Sequence, residues 1–309
     1  MKIFKLNTNR SFYEKNLNLT IGNFDGVHLG HQSVIKKLIH ISQSHNLQSA
    51  LLSFNPHPRE FFSTLNEPFN IVTPAFKKIL FEKLGLDIYI DFEFDKALAS
   101  LSPDEFIKNI LVEKLSIENI ILGADFKFGK DRKGDLLLLK EKSQKYQFNV
   151  TVIKPVIEVN SKQKYSSSII RKHINNGMFE EVTESLGRHW IMSGKVILGD
   201  QRGQKNGFPT ANLVPGRHIL PLKGVYCVYA FIDGKQHKGI ANFGERPTVD
   251  GTKLLLETHV FDFNEDIYGK ELTVEFLTFI RAEQKFDNFE KLTKQIKEDI
   301  QTARTYHKI

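Results

Sequence analysis

Leu17, Leu19 and Ile21 alternate with polar residues, a period of two that predicts a β-strand. The run gives way to a glycine-rich turn over residues 22–30. Beyond the turn, Val34, Ile35, Leu38 and Ile39 share one face of a helix. Short apolar runs at residues 50–54, 87–94, 117–122 and 150–153 predict four further strands. Helical patterns lie between them. One starts at Ala75 and stops at Gly85, where glycine suits a C-terminal cap. Another is opened by the capping box Ser102-Pro103-Asp104-Glu105, with proline at the first helical position. Strands alternating with helices predict an α/β, Rossmann-like domain with a parallel sheet covered on both faces.

The pattern changes class near Leu186-Gly187-Arg188. Residues 224–232, 253–263 and 271–280 are rich in β-branched and aromatic side chains, and Asp233-Gly234 and Asp250-Gly251 mark turns between them. This predicts an antiparallel sandwich or barrel, and a barrel is the expectation carried forward. A final helix is expected to be capped by Asp287, with Glu290 completing a capping box and Phe289, Leu292, Ile296 and Ile300 packed inward. The expected domains are residues 1–186 and 187–309.

Composition adds bounds rather than chemistry. A chain of 309 residues with 40% hydrophobic and 26% charged residues is an ordinary globular one, large enough for two cores. The single cysteine, Cys227, excludes an internal disulfide and a cysteine zinc site. It lies in the apolar run Val225-Tyr226-Cys227-Val228-Tyr229 and reads as a small buried hydrophobe. The first residues lack the apolar stretch of a signal peptide, and no run reaches the length of a membrane span. A cytoplasmic protein without a membrane partner is expected. The net charge of +7 would suit nucleic acid, a membrane surface or small polyanions, but the lysines are scattered and favour none of these.

Residues 20–32 read TIGNFDGVHLGHQ. A glycine turn between a strand and a helix lets backbone N–H groups approach phosphates, and the helix N-terminus adds positive field. His28 and His31 flank that point and could donate to phosphate oxygens as charge builds on them. The competing reading makes the two histidines zinc ligands with His57 as a third, although no carboxylate completes a ligand spacing. In the second half, Gly199, Gly203 and Gly207 recur every four residues, a spacing that can wrap phosphates although no Walker sequence closes it. Thr210 and Asn212 would share one side of a strand and offer hard oxygens suited to Mg²⁺. Glu257, read alone, is the outward residue of an alternating strand.

Taken together these strings carry a resemblance. H-x-G-H after a strand is the mark of the nucleotidylyltransferase superfamily. The longer G-x-F-D-G-V-H-x-G-H resembles bacterial bifunctional riboflavin kinase/FMN adenylyltransferases. Phe54-Asn55-Pro56-His57-Pro58, the segment over residues 123–129 (GADFKFG) and Ser166-Ser167-Ser168-Ile169-Ile170-Arg171 match that family in order, as do GFPTAN at 207–212, NFGERPT at 242–248 and LETH at 256–259. The resemblance covers nearly the whole chain. It implies catalytic roles for His28, His31 and Glu257, the last as a base. For the adenylyltransferase it implies ATP contacts at Gly22, Phe24, Asp25, Gly30, Ser167, Ser168 and Arg171, and flavin contacts at Asn55, Pro56, His57, Pro58 and Asp125. For the kinase it implies ATP contacts at Gly199, Gly203, Lys205, Gly207, Phe208 and Pro209, flavin contacts at Arg246, Pro247, Thr248 and Arg281, and Mg²⁺ at Thr210 and Asn212. The implied reactions are riboflavin plus ATP to FMN and ADP, then FMN plus ATP to FAD and pyrophosphate. An H-x-G-H transferase with a non-flavin acceptor is the alternative. Nucleic acid is not an expected partner, because the barrel strands show no aromatic platform beside a basic stripe.

Overall fold

The apolar runs of the first half become six parallel strands: β1 (Lys2–Leu6), β2 (Leu17–Ile21), β3 (Gln48–Asn55), β4 (Ile88–Glu93), β5 (Ile117–Gly123) and β6 (Asn149–Ile153). Their order across the sheet is β1-β4-β3-β2-β5-β6, with every neighbouring pair parallel. The helices are α1 (Leu29–Ser44), α2 (Pro58–Phe62), α3 (Pro74–Lys83), α4 (Lys96–Ser100), α5 (Pro103–Glu105) and α6 (Leu136–Tyr146). The capping box at Ser102 and Glu105 forms as the sequence predicts, and the chain continues from it as a π-helical stretch, Phe106–Lys114. The computed structural model describes residues 1–63, 68–154, 156–157, 164–198, 208–248 and 251–309.

Alternate residues of the same strand serve opposite cores. Ala50 and Leu52 join Leu17, Leu19, Phe106 and Ile110 on one face, and Leu51 joins Ile35, Leu38 and Phe81 on the other. Burying a side chain such as Leu38 stabilises the domain by roughly 1.5–3 kcal/mol. The polar residues of β2 do not face water as alternation suggests. Asn18 and Thr20 are buried because α1 covers that face. Asn18 donates to Ser42 Oγ at 2.9 Å and accepts from Asn119 Nδ2 at 2.8 Å, and Thr20 donates to the Ile121 carbonyl at 2.8 Å.

The second half is a closed six-stranded barrel of β7 (Trp190–Ile197), β8 (Ala211–Leu213), β9 (Gly224–Ile232), β10 (Lys235–Thr248), β11 (Gly251–Val260) and β12 (Glu271–Ala282), in the order β10-β11-β8-β7-β12-β9. The paired strands are antiparallel. Asp233 and Gly234 turn β9 into β10 with φ of 49° and 78°, as the Asp-Gly pair predicts. Two helices precede the barrel, α7 (Ser167–Asn175) and α8 (Phe179–Leu186), and α9 (Phe289–Tyr306) follows it. Phe179 sits with its ring 5.1 Å from Phe276, 5.4 Å from Tyr226 and 5.8 Å from Trp190, which completes the apolar interior. Cys227 is buried on the outer wall with Val225 and Ile240, under Ala303 and Ile300 of α9, the hydrophobic role expected of it.

The chain divides into two compact units, Met1–Asn66 with Thr73–Ser166, and Glu67–Val72 with Ser167–Ile309. Helices α7 and α8 thus belong to the barrel's unit. So does the short segment at Asn70 and Ile71, whose carbonyls accept from Ile219 N at 2.8 Å and Trp190 Nε1 at 2.7 Å. The start of α9 differs from expectation. Asn288, not Asp287, is its cap and accepts from Lys291 N at 2.9 Å, while Asp287 is held by the Lys291 ammonium at 2.7 Å. With the helix starting one residue later, Glu290 no longer stands at the capping-box position. Phe289 is exposed. The face that turns inward carries Ile300, Asp299 and Ala303, because contact with the barrel is made by the later turns.

Candidate active sites

Strand β2 ends where the strand order reverses, with β3 and β4 on one side and β5 and β6 on the other. In open α/β sheets ligands bind outside the carboxyl ends of the strands at such a switch point. The turn after Ile21 is bent sharply there, with φ of 49° at Phe24, 83° at Gly26 and 44° at Val27. Phe24 and Val27 adopt a conformation unfavourable for their residue types. Burial of both side chains offsets that cost. The turn delivers His28 to the N-cap of α1, where its Nδ1 accepts from His31 N at 3.2 Å. In the neutral ring the proton therefore sits on Nε2. The His28 and His31 rings stack with centroids 3.6 Å apart and planes 18° apart. Burial, and then the like charges of His28, Lys77 and Lys164, hold His31 well below the usual imidazole range. Among the described residues its buried Nδ1 has no hydrogen-bond partner.

Close approach explains Gly30, where a Cβ would stand 3.1 Å from His28 Nδ1 and 3.0 Å from Tyr165 Cβ. Gly22 lies under the Phe24 ring, and Asp25 is buried in the same turn. Around this turn the sheet brings two more predicted segments. At the end of β3, Asn55 joins Pro56 through a cis bond, and His57 caps α2, accepting from Arg59 N at 3.0 Å ahead of Pro58. Beyond β5, Asp125 pairs with Lys164 at 2.5 Å, a contact that holds its carboxyl below the usual range. The zinc reading finds no support in this geometry. Among the described residues no three histidine, cysteine or carboxylate groups are placed to hold a metal ion. Ser167 and Ser168 open α7, within the barrel's unit. Arg171 donates to the Phe69 carbonyl at 3.0 Å with its guanidinium 3.6 Å from the Phe69 ring centroid.

The second site is a row on the outer wall of the barrel. Asn212 of β8, Glu257 of β11 and Asn242 of β10 are direct register partners. Leu256 and Thr258 are fully buried, so Glu257 and its row partners face outward. Arg246, further along β10 on the same side, donates from Nε to Glu257 Oε2 at 3.0 Å, and its Nη2 closes on the same oxygen. Asn212 is buried with Nδ2 turned to the Thr210 carbonyl at 3.4 Å. His259 Nδ1 donates to the Pro209 carbonyl at 2.8 Å, and its ring meets Phe208 edge-on at 6.0 Å. The structure therefore brings Phe208, Pro209, Thr210, Asn212, Arg246 and Glu257 together. Arg281 lies three strands from Glu257 in the same row, through Val225 and Asn242, a separation of roughly 14 Å. There it grips Asp299 of α9, with Nη2 2.7 Å from Oδ2. Gly199, Gly203, Lys205 and Gly207 lie outside the described residues. Pro247 and Thr248 end β10, and their side chains are also outside the description.

Two residues beside the first site carry no motif. Lys77 donates to the Asn23 carbonyl and Ser53 Oγ behind the glycine turn, and Tyr165 lies over His28 and Gly30. Asn242, the first residue of the 242–248 motif, flanks Glu257. Lys77 and Tyr165 come from parts of the chain that only the fold brings near.

Comparison with known proteins bears on both sites. A family model described as FAD synthetase matches residues 11–169, and one described as riboflavin kinase matches residues 186–307. The chain is 39% identical over 294 residues to a bifunctional riboflavin kinase/FMN adenylyltransferase of Haemophilus influenzae, covering 93% of each chain. It is 38% identical to the protein of that name from Buchnera aphidicola, covering 99% of each, and 36% identical to the one from Escherichia coli, covering 93% of this chain and 92% of the other. Among solved structures, one described as a macrolide-efflux protein from Streptococcus pneumoniae is 29% identical with a TM-score of 0.88, over 98% of this chain and 99% of that one. Among the described residues, no helix here is long and apolar enough to cross a membrane.

Proposed function

We propose, from the premise that this chain belongs to the bifunctional riboflavin kinase/FMN adenylyltransferase family, that its two reactions are carried by the two residue sets just described. The chain is an enzyme of flavin-cofactor synthesis that takes riboflavin to FMN and FMN to FAD, using ATP in both steps. A non-flavin acceptor is not favoured, since a riboflavin kinase domain lies behind the transferase in the same chain.

In the kinase reaction the terminal hydroxyl oxygen of riboflavin attacks the γ-phosphorus of ATP. The β–γ bridging P–O bond breaks and ADP leaves. Glu257 accepts the hydroxyl proton, a role that general-base catalysis makes worth roughly 10²–10⁴-fold. Arg246 holds Glu257 through Oε2, so Oε1 is the oxygen that meets the hydroxyl. Thr210 and Asn212 offer hard oxygens beside this carboxylate, and with its amide nitrogen engaged by the Thr210 carbonyl, Asn212 has its carbonyl oxygen to offer the metal. This donor set fits Mg²⁺ sharing most of its shell with nucleotide and water. When bound, Mg²⁺ offsets the charge of the transferring phosphoryl group. Gly199, Gly203, Lys205 and Gly207, with Phe208 and Pro209, take the ATP. Arg246, Pro247, Thr248 and Arg281 take the flavin.

In the adenylyl transfer a phosphate oxygen of FMN attacks the α-phosphorus of ATP. The α–β bridging P–O bond breaks and pyrophosphate leaves. His28 donates from Nε2 to the oxygens that gain charge, and neutral His31 lies stacked against it. A fixed donor at such a position is worth roughly 10²–10³-fold. Gly22, Phe24, Asp25 and Gly30 shape the turn that receives ATP, with Ser167, Ser168 and Arg171 on its phosphates. Asn55, Pro56, His57, Pro58 and Asp125 hold the flavin. We place the functional division between residues 186 and 187. A cytoplasmic location, where ATP is abundant, fits both reactions.

The observation that carries the proposal is the shared row of Asn212, Glu257 and Asn242, which sets a base beside hard oxygen donors. The test is incubation of the full chain with riboflavin, ATP and Mg²⁺, with the flavins separated over time. FMN is expected first and FAD later. No FMN from folded protein would overturn the kinase assignment.

A further inference from the structure

Behind the glycine turn lies a charged group that neither reaction as described uses. Lys77, on the first turns of α3, donates to the Asn23 backbone carbonyl at 3.2 Å and to Ser53 Oγ at 3.1 Å. Ser53 in turn meets Tyr89 Oη at 2.9 Å. Asp25 from the turn and Asp91 from β4 face the ammonium as countercharges, and Lys78 faces it as a like charge while lying 3.5 Å from Asp91. Burial lowers the pKa of Lys77 from the usual lysine range, and the two carboxylates act against that shift. An ion this poorly hydrated is held in place only by specific partners, and one of those partners is the backbone of the turn that carries His28.

We propose that Lys77 is a positioning residue of the adenylyl-transfer site: it fixes the glycine turn through the Asn23 carbonyl and sets the charge felt by the stacked His28–His31 pair. The inference rests on the reading of that pair as the phosphate-facing donors. The charged groups facing His31 are His28 from the turn, Lys77 from α3 and Lys164 from the segment beyond β6. Lys164 is shared with Asp125, whereas Lys77 reaches the turn itself. Burial is the largest cause of the lowered His31 pKa, and the fixed Lys77 cation behind the pair adds to it, together with His28 and Lys164, by disfavouring a further positive charge on the ring. His31 then meets the phosphates as an oriented, neutral ring beside His28, and the positions of both rings are set before ATP arrives.

The test compares FAD formation from FMN and ATP across about pH 5 to 8.5 in the full-length wild type, Lys77→Arg and Lys77→Met. The His31 ring is titrated by NMR in the same proteins, and His31→Gln assigns the signal. In Lys77→Met the His31 midpoint and the acid limb of FAD formation should both move up, by roughly one pH unit. Its kcat should fall about 10- to 100-fold, more than the KM for ATP changes. Lys77→Arg should keep the wild-type acid limb. If Lys77→Met does not fold, Lys77→Gln carries the same outcomes. A neutral variant with the wild-type His31 midpoint and acid limb overturns the inference, whatever its rate. Wild-type FAD formation by His31→Gln would instead overturn the histidine reading beneath it.

Discussion

Arg246 closes on Glu257 with two nitrogens, and both land on a single carboxylate oxygen, Oε2. The pair spans neighbouring strands on the outer wall of the barrel, and the Glu257 side chain is 22% exposed. This grip fixes the carboxylate plane, so the second oxygen points along one direction. A lysine at position 246 would keep the charge but lose the fork. Arg246→Lys should lower FMN formation by about tenfold or more, while FAD formation from supplied FMN is unchanged. Steady-state rates for the two reactions measured separately would check this, and equal losses in both would contradict it.

The acid side of the stability curve is set partly by buried histidines. Burial pushes His218 down from 6.5 to about 4. Between those values the unfolded chain binds a proton that the folded chain refuses. Stability present above pH 6.5 is therefore lost as pH falls through that window, by about 3 kcal/mol in all. His31, also depressed, acts in the same direction. Thermal melts of His218→Leu should show a smaller fall in Tm between neutral and acid pH than the wild type. An identical fall would mean that His218 is protonated in the folded state.

Cys227 reports on the docking of α9. Its thiol is buried, lies 3.2 Å from His307 Nε2, and is pushed up to about 12 by burial. A thiolate is the reactive form. The native chain should therefore resist thiol reagents at mildly alkaline pH. Truncating the grip at Arg281 and Asp299 should expose the thiol. In Asp299→Ala, labelling at Cys227 is expected to speed up severalfold or more, because the Arg281 charge loses its buried partner. Unchanged labelling would show that α9 stays docked without this pair.

Much of this architecture was legible in the sequence, and the exceptions have physical causes. The parallel sheet followed from strand and helix alternation, and the Asp233-Gly234 turn from its two residues. Strand β10 was harder to see, because Gly239, Gly244 and Pro247 interrupt its pattern as a loop would. No sequence motif singles out Lys77 on α3, and only the fold shows it turning to the Asn23 carbonyl. Asp287 looked like a cap because it precedes a helical pattern, yet its carboxylate is taken by Lys291 and the helix starts one residue later. The family resemblance implies a flavin contact for Arg281, but its described side-chain contacts are with Asp299, the Ala282 carbonyl and Phe286.

Gly30 offers a test of close approach. A methyl group there would meet both the His28 ring and Tyr165. Gly30→Ala should cut FAD formation at least about tenfold by displacing His28, without touching FMN formation. A crystal structure or the His28 NMR shift would show the displacement, and full FAD activity would contradict the packing account.

The central claim is that one chain holds two separable sites, with Glu257 serving one and His28 the other. The most direct measurement is the flavin time course of His28→Ala and Glu257→Ala, each given riboflavin, ATP and Mg²⁺, and each also given FMN. His28→Ala should accumulate FMN and stop there. Glu257→Ala should leave riboflavin unconverted yet turn added FMN into FAD. Loss of both conversions in either variant, with the protein still folded, would contradict the two-site account.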